Sequence, residues 1–164
     1  MWHQLLSRVW RRLPKRVRRL GIVLAQPRFT VTAGAVIVDE HNRVLLLHHR
    51  FRGGSGWGIP GGFLNARESP AAAVRRELRE EVKLELDNVE IAFTHTLQAY
   101  NQVEIVFRAT PRNTVQICSA EISRAEWFVL DDLPEEVSEY QRWLLKKALV
   151  PQPQDVSHPG EHDT

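Results

Sequence analysis

Glu77, Glu80 and Glu81 are the residues whose type and spacing point most directly to chemistry. At i, i+3 and i+4 they share one patch of one face if the segment is helical. Like charges so placed repel, by about 0.2–0.5 kcal/mol per pair on an exposed helix. A hard divalent cation such as Mg²⁺ or Mn²⁺ takes oxygen ligands and would offset that repulsion. Arg75, Arg76 and Arg79 lie among the glutamates, so this run taken alone reads more simply as a solvated helix laced with salt bridges.

The wider spacing reverses that reading. The chain runs Gly62-x5-Glu68-x7-Arg76-Glu77-Leu78-x-Glu80-Glu81, preceded by Trp57-Gly-Ile-Pro-Gly-Gly62. This resembles the signature of the Nudix hydrolase family, in which an apolar position and a glycine complete the box. Glu121-Ile122, Glu126-Trp127-Phe128 and Leu133-Pro134 resemble the family's closing strand and helix start, so the resemblance covers roughly 31–149. One box position departs: Lys83 stands where the family has glycine. Glycine there permits the left-handed turn that ends a helix. Lysine in that conformation costs about 1–2 kcal/mol, or the helix ends in another way. No metal ligand is lost.

The resemblance implies roles residue by residue. Glu77, Glu80 and Glu81 match the metal-binding glutamates, with Mg²⁺ or Mn²⁺ as the cofactor and Gly61 beside them as a further metal-site position. Arg76 and Glu68 match the pair that orients the carboxylates. Gly61 and Gly62 allow close backbone approach to a metal or phosphate. The chemistry needs such a site. A diphosphate repels hydroxide, so its oxygens must be neutralised and a water activated in line with phosphorus. The proton acceptor varies within the family; Glu77, Glu80 or a later glutamate qualifies, and Glu121 is the candidate for the latter. Arg50 and Arg52, beside a glycine loop, are candidates for holding substrate phosphates. His48 and His49 are strand neighbours and point to opposite faces, so at most one meets a site. Tyr100 and Phe51 are candidates for stacking a base, and Trp57 is expected to pack under the glycine turn.

These side chains need elements to position them. Ser69 suits an N-cap and Pro70 the first helical position, so a helix is expected from Ser69 to about Lys83. Val74, Leu78 and Val82 give it an inward face. Residues 29–38 and 44–47 read as strands across the turn Asp39–Asn42 and look like a hairpin. Strands are also expected at 89–96 and 102–110, pairing across 99–101, and at 126–130. Pro134 is expected to open a final helix. Residues 2–13 show an amphipathic helical stripe of Trp2, Leu5, Leu6, Val9, Trp10 and Leu13, and a second short stretch runs through Val17, Leu20 and Leu24. The fold class expected from the resemblance is α/β of the α+β type: an α/β/α sandwich with a mixed central sheet, plus the N-terminal helical arm. The expected division is 1–28 arm, 29–150 catalytic domain and 151–164 disordered tail.

Charge separates the arm from the body. Residues 1–38 hold eight Lys or Arg and no Asp or Glu, whereas the rest holds the other 14 cationic and all 20 acidic residues. A basic arm suggests an anionic contact: a membrane surface, RNA, or the protein's own acidic site. Its apolar stripe also suits packing on its own domain or in a homodimer. The single cysteine, Cys118, excludes an intrachain disulfide or a cysteine zinc cage. No apolar run approaches the ~18 residues of a spanning helix, and the stretch 20–25 is too short for a signal. A cytoplasmic location, with peripheral contact at the inner membrane face, is the expectation. For function, the leading expectation is metal-dependent hydrolysis of a nucleoside diphosphate linked to another group. Action on RNA 5′ ends or oxidised nucleoside triphosphates is the alternative, as is a silent nucleotide-sensing domain. The intact glutamate set argues against the last.

Overall fold

The computed structural model describes residues 13–51 and 53–150. Strand β1 (Thr30–Ile37) is buried from Thr32 onward, as suits an apolar strand covered on both faces. It pairs in parallel with β6 (Gln102–Pro111) and antiparallel with β4 (Gly61–Phe63). β6 pairs antiparallel with β5 (Leu86–Leu97) across the short turn at Gln98–Tyr100 and a left-handed Asn101. The result is a mixed four-stranded sheet, β4-β1-β6-β5. Strands β2 (Arg43–His49), β3 (Trp57–Gly58) and β7 (Ile122–Val129) form an antiparallel sheet in the order β3-β2-β7.

The expected hairpin of the first two strands does not form. β1 already has β4 on one edge and β6 on the other, so no edge is left for β2. The two meet at the bridge between Val38 and Val44, and β2 enters the other sheet. Asp39 fixes the turn by accepting from the His41 and Arg43 N–H groups and from the Arg43 guanidinium.

Three α-helices lie among the described residues: α1 (Lys15–Ala25), α2 (Pro70–Val82) and α3 (Glu139–Leu149). The period-two alternation of the strands divides the core. Ala33, Ala35, Ile37, Leu45 and Leu47 pack with Val74, Leu78 and Val82 of α2. Val36, Val44, Leu46, Trp57 and Ile59 pack with Leu144, Leu145 and Ala148 of α3. Sheets therefore lie between α2 and α3. The final helix begins at Glu139, later than Pro134 suggested. Ser138 caps it by accepting from the Gln141 N–H. Residues 134–137 instead form a turn, held by Arg142 donating to the carbonyls of Leu133, Pro134 and Val137. In α1, Val17, Ile22 and Leu24 are exposed. The expected helix over 2–13 and the tail 151–164 lie outside the described residues, save Leu13. Among the described residues, no helix is long and apolar enough to cross a membrane.

Candidate active site

Helix α2 carries the site. Ser69 Oγ accepts from the Ala72 N–H, and Pro70 occupies the first turn, where its missing donor costs nothing. The helix ends at Lys83 in the left-handed conformation, φ 50°, with the Lys83 N–H on the Arg79 and Leu78 carbonyls. The Leu84 N–H reaches the Leu78 carbonyl at 3.1 Å. Lysine thus takes up the conformation that glycine would adopt freely. Two further terminal carbonyls, of Val82 and Glu81, accept from Gln116, Cys118 and Ser119 N–H groups. Those bonds tether the loop that leads to Glu121. The Glu121 carbonyl in turn accepts from the Arg50 N–H at 2.8 Å.

Arg76 organises the carboxylates. Its Nε and Nη2 donate to Glu68 Oε1 and Oε2 at 2.8 and 3.0 Å, a bidentate fork. Its Nη1 donates to Glu77 Oε1 at 2.8 Å and Glu80 Oε2 at 3.2 Å, and Nη2 also reaches the Phe63 carbonyl. The fork, with the Asn65 N–H on Glu68 Oε2, holds the Glu68 carboxyl below its ordinary range. The Glu68 bond, foremost, also raises the Arg76 guanidinium. Arg75 and Arg79 turn elsewhere, to the Leu86 carbonyl and to Glu85. A backbone carbonyl and a salt bridge to Glu85 thus account for Arg75 and Arg79 away from the glutamate patch.

Glycines make the opposing wall. A Cβ on Gly62 would lie 2.3 Å from Glu77 Oε1, so only glycine leaves that carboxylate room. Gly61 has φ 151°, and a Cβ there would lie 2.3 Å from the Ala33 carbonyl oxygen. These elements bound a cleft of about 510 Å³ whose lining includes Gly61, Gly62, Arg76, Glu77, Glu81 and Glu121. Glu80, with a side chain 61% exposed, stands at its margin through Arg76. His49 lines the cleft; His48 turns to Ser123 Oγ and packs against Trp57. Arg50, Phe51 and Tyr100 are not among the lining residues. Arg52 lies outside the described residues.

The cleft has a second half that sequence reasoning missed, lined by Thr32, Phe63, Gln102, Glu104 and Gln141. Phe63, Thr32, Glu104 and His95 are register partners across β4, β1, β6 and β5. Nothing local in the sequence unites them; strand register does.

The donor set suits a hard divalent cation in kind: carboxylate oxygens of Glu77, Glu80 and Glu81, with Glu81 only 8% exposed. The room Gly62 leaves for Glu77 is the structural feature that fits such an ion. Among the described residues, no three His, Cys, Asp or Glu side chains are grouped closely enough to hold it. Arg76 Nη1 lies instead between the Glu77 and Glu80 carboxylates.

Comparison with known proteins gives the family. The family model described as the NUDIX domain matches residues 28–150. A MutT-like protein of Streptomyces ambofaciens is 31% identical over 139 residues, covering 83% of this chain and 88% of that protein. An RNA pyrophosphohydrolase of Cellvibrio japonicus is 32% identical over 101 residues, covering 62% of this chain and 57% of its own length. Among solved structures, a MutT NUDIX hydrolase from Burkholderia pseudomallei superposes with a TM-score of 0.65 at 28% identity, over 74% of this chain and 98% of that one. Nudix hydrolases generally use divalent metal ions. The chain belongs to the Nudix family and is a hydrolase of the pyrophosphohydrolase type.

Proposed function

We propose that the chain hydrolyses the diphosphate of a nucleoside diphosphate linked to another group, with Mg²⁺ or Mn²⁺ held by Glu77, Glu80 and Glu81. One observation carries this: a single cleft joins the Arg76–Glu77–Glu81 end to a polar end formed by Thr32, Gln102, Glu104 and Gln141. The first end suits phosphate chemistry and the second a non-phosphate group. When bound, the ion neutralises phosphate oxygens and lowers the pKa of a water. The chain's own residues do the rest. Arg76, anchored on Glu68, sets the directions of Glu77 and Glu80. Gly61 and Gly62 let the diphosphate approach the backbone. Water oxygen bonds to phosphorus as the bridging P–O bond breaks, and a carboxylate takes the proton. Glu121 is assigned that step because its loop is tied to the end of α2 beside the cleft; Glu77 and Glu80 are the alternatives. Arg50 and Arg52 are left to the outer phosphates. A turnover screen tests the proposal, over nucleotide sugars, dinucleotides, ADP-ribose, oxidised triphosphates and capped RNA with product identification. Release of a nucleoside monophosphate from a linked diphosphate supports it. Turnover confined to RNA ends or to oxidised triphosphates replaces it with that second reading.

The basic arm is assigned to an anionic surface outside the cleft. α1 combines Lys15, Arg16, Arg18 and Arg19 with exposed Val17, Ile22 and Leu24, the composition of an interfacial helix. An anionic bilayer, met from the cytoplasmic side, is the surface proposed. Co-sedimentation with anionic vesicles is expected for the full chain and is expected to be lost without residues 1–26. If RNA is the partner instead, that deletion flattens the salt dependence of RNA turnover, because fewer phosphate contacts remain.

A further inference from the structure

Glu104 lines the cleft from β6, and among the described residues one of its two oxygens is engaged. Tyr140 Oη donates to Glu104 Oε2 at 2.5 Å. His95 Nε2 lies 2.7 Å from Tyr140 Oη and 3.4 Å from the same Oε2. Trp143 packs edge-on against His95, with ring centroids 5.1 Å apart. The side chains of His95 and Glu104 are each 15% exposed, so this arrangement is fixed by packing rather than set by solvent. Burial, reinforced by the Glu104 bond, raises the Tyr140 hydroxyl above its ordinary range, so it remains a donor. Both contacts fall on Oε2, and Oε1 is left to the cleft. Two residues earlier on the same strand face, Gln102 has its Nε2 on Thr32 Oγ1 at 2.8 Å, which turns its carbonyl oxygen to other partners.

Glu104 Oε1 and the Gln102 carbonyl supply acceptors here, whereas Gln141, whose Oε1 accepts from the Ile59 N–H at 2.9 Å, supplies an amide donor. A carboxylate accepts and does not donate, and its charge repels phosphate. Phe63, 61% exposed, sits in the same cross-strand row and lines the same cleft, offering an aromatic face. We infer that Glu104 is a specificity-determining residue that selects a purine ring bearing an exocyclic amine, with Oε1 accepting from the amine and Phe63 stacking against the ring. This deepens the proposed function, naming the group at the non-phosphate end of the same cleft.

Glu104→Gln gives a directional test. With Tyr140 donating as it does in the wild-type protein, the amide carbonyl takes the Oε2 place and the NH₂ takes the Oε1 place. The acceptor facing the ligand becomes a donor. Calorimetric titration of the full chain with two ligand pairs reads this out: AMP against purine riboside 5′-monophosphate, and GMP against IMP. Each pair differs by one amine. For at least one pair, the wild-type protein is expected to bind the amine-bearing member about tenfold or more tightly, the scale of one hydrogen bond to a charged group. Glu104→Gln is expected to abolish or invert that ratio. Tyr140→Phe, which frees Oε2 without removing the carboxylate, is expected to reduce the ratio severalfold and serves if the first variant does not fold. Phe63→Ala is expected to weaken all four ligands alike. Wild-type ratios near one, a ratio unchanged in Glu104→Gln, or ribose 5-phosphate binding as tightly as AMP would each overturn the inference. Failure of the turnover proposal is separate: amine-selective binding without turnover of any linked diphosphate would sink that proposal and leave this one standing.

Discussion

Replacing Lys83 by glycine is expected to stabilise the domain while leaving turnover intact. Lys83 holds φ 50° at the end of α2, and its conformation is required by the bonds from its own N–H and that of Leu84 to the last turn. A side chain in that region costs about 1–2 kcal/mol, which glycine removes. Two effects oppose the gain. Glycine adds unfolded-chain entropy worth about 0.4–1 kcal/mol, and loss of a cation at a helix C-terminus costs about 0.3 kcal/mol. The net gain is about 0.5 kcal/mol, or about 2 °C in Tm. Lys83→Ala sharpens the measurement, since it loses the charge but keeps the strained Cβ. The Lys83 carbonyl accepts from Asn113 Nδ2 at 2.9 Å through backbone that both variants retain. Glycine is therefore expected to exceed alanine by about 1 kcal/mol, or about 3–5 °C, in thermal and urea unfolding. Alanine equal to or more stable than glycine would show that strain at this residue contributes nothing.

Arg76→Lys keeps the charge but cannot span Glu68, Glu77 and Glu80 together, so turnover is expected to fall about 10–100-fold, as for other supports of metal ligands; steady-state kinetics at saturating Mg²⁺ checks this. The Glu68 carboxyl is depressed in the folded state, so its contribution to stability is complete above the ordinary carboxylate pKa and is lost as pH falls through the lower folded value. Urea unfolding between pH 6 and pH 2 should therefore show the wild-type advantage over Glu68→Gln shrinking only on the acid side of about pH 4.3. Gly62→Ala displaces a carboxylate at the end of a flexible side chain, so activity should fall by at least tenfold with little loss of Tm. Gly61→Ala drives a Cβ into the Ala33 backbone and should instead destabilise the fold by about 2 kcal/mol or more, which parallel melting and activity assays separate.

The candidate site was legible where its residues are spaced along one element. Glu77, Glu80, Glu81, Arg76 and Glu68 lie on α2 or just before it, and Ser69–Pro70 announces where that helix begins. The capping loop after Lys83 departs from the usual residue yet keeps the usual backbone, because the loop from Gln116 to Ser119 fastens the helix end from outside. Pairing between strands was less legible. The turn at Asp39–Asn42 looks like a hairpin locally, and only the occupation of both β1 edges sends β2 into the other sheet. Glu104, Gln102 and Phe63 gave no sequence signal, since register across three strands brings them to the cleft. The start of α3 shifted from Pro134 to Glu139 because two turn formers compete there and the Ser138 cap prevails.

Under the proposed function the α2 carboxylates hold the divalent ion that hydrolysis requires. Turnover of the best substrate from the screen, measured against Mg²⁺ and Mn²⁺ concentration for the wild type, Glu80→Gln and Glu81→Gln, tests it most directly. Activity is expected to rise with metal, vanish under chelation, and fall by orders of magnitude in both variants while their melting curves stay cooperative. Full activity in either variant, or turnover indifferent to metal, would contradict it.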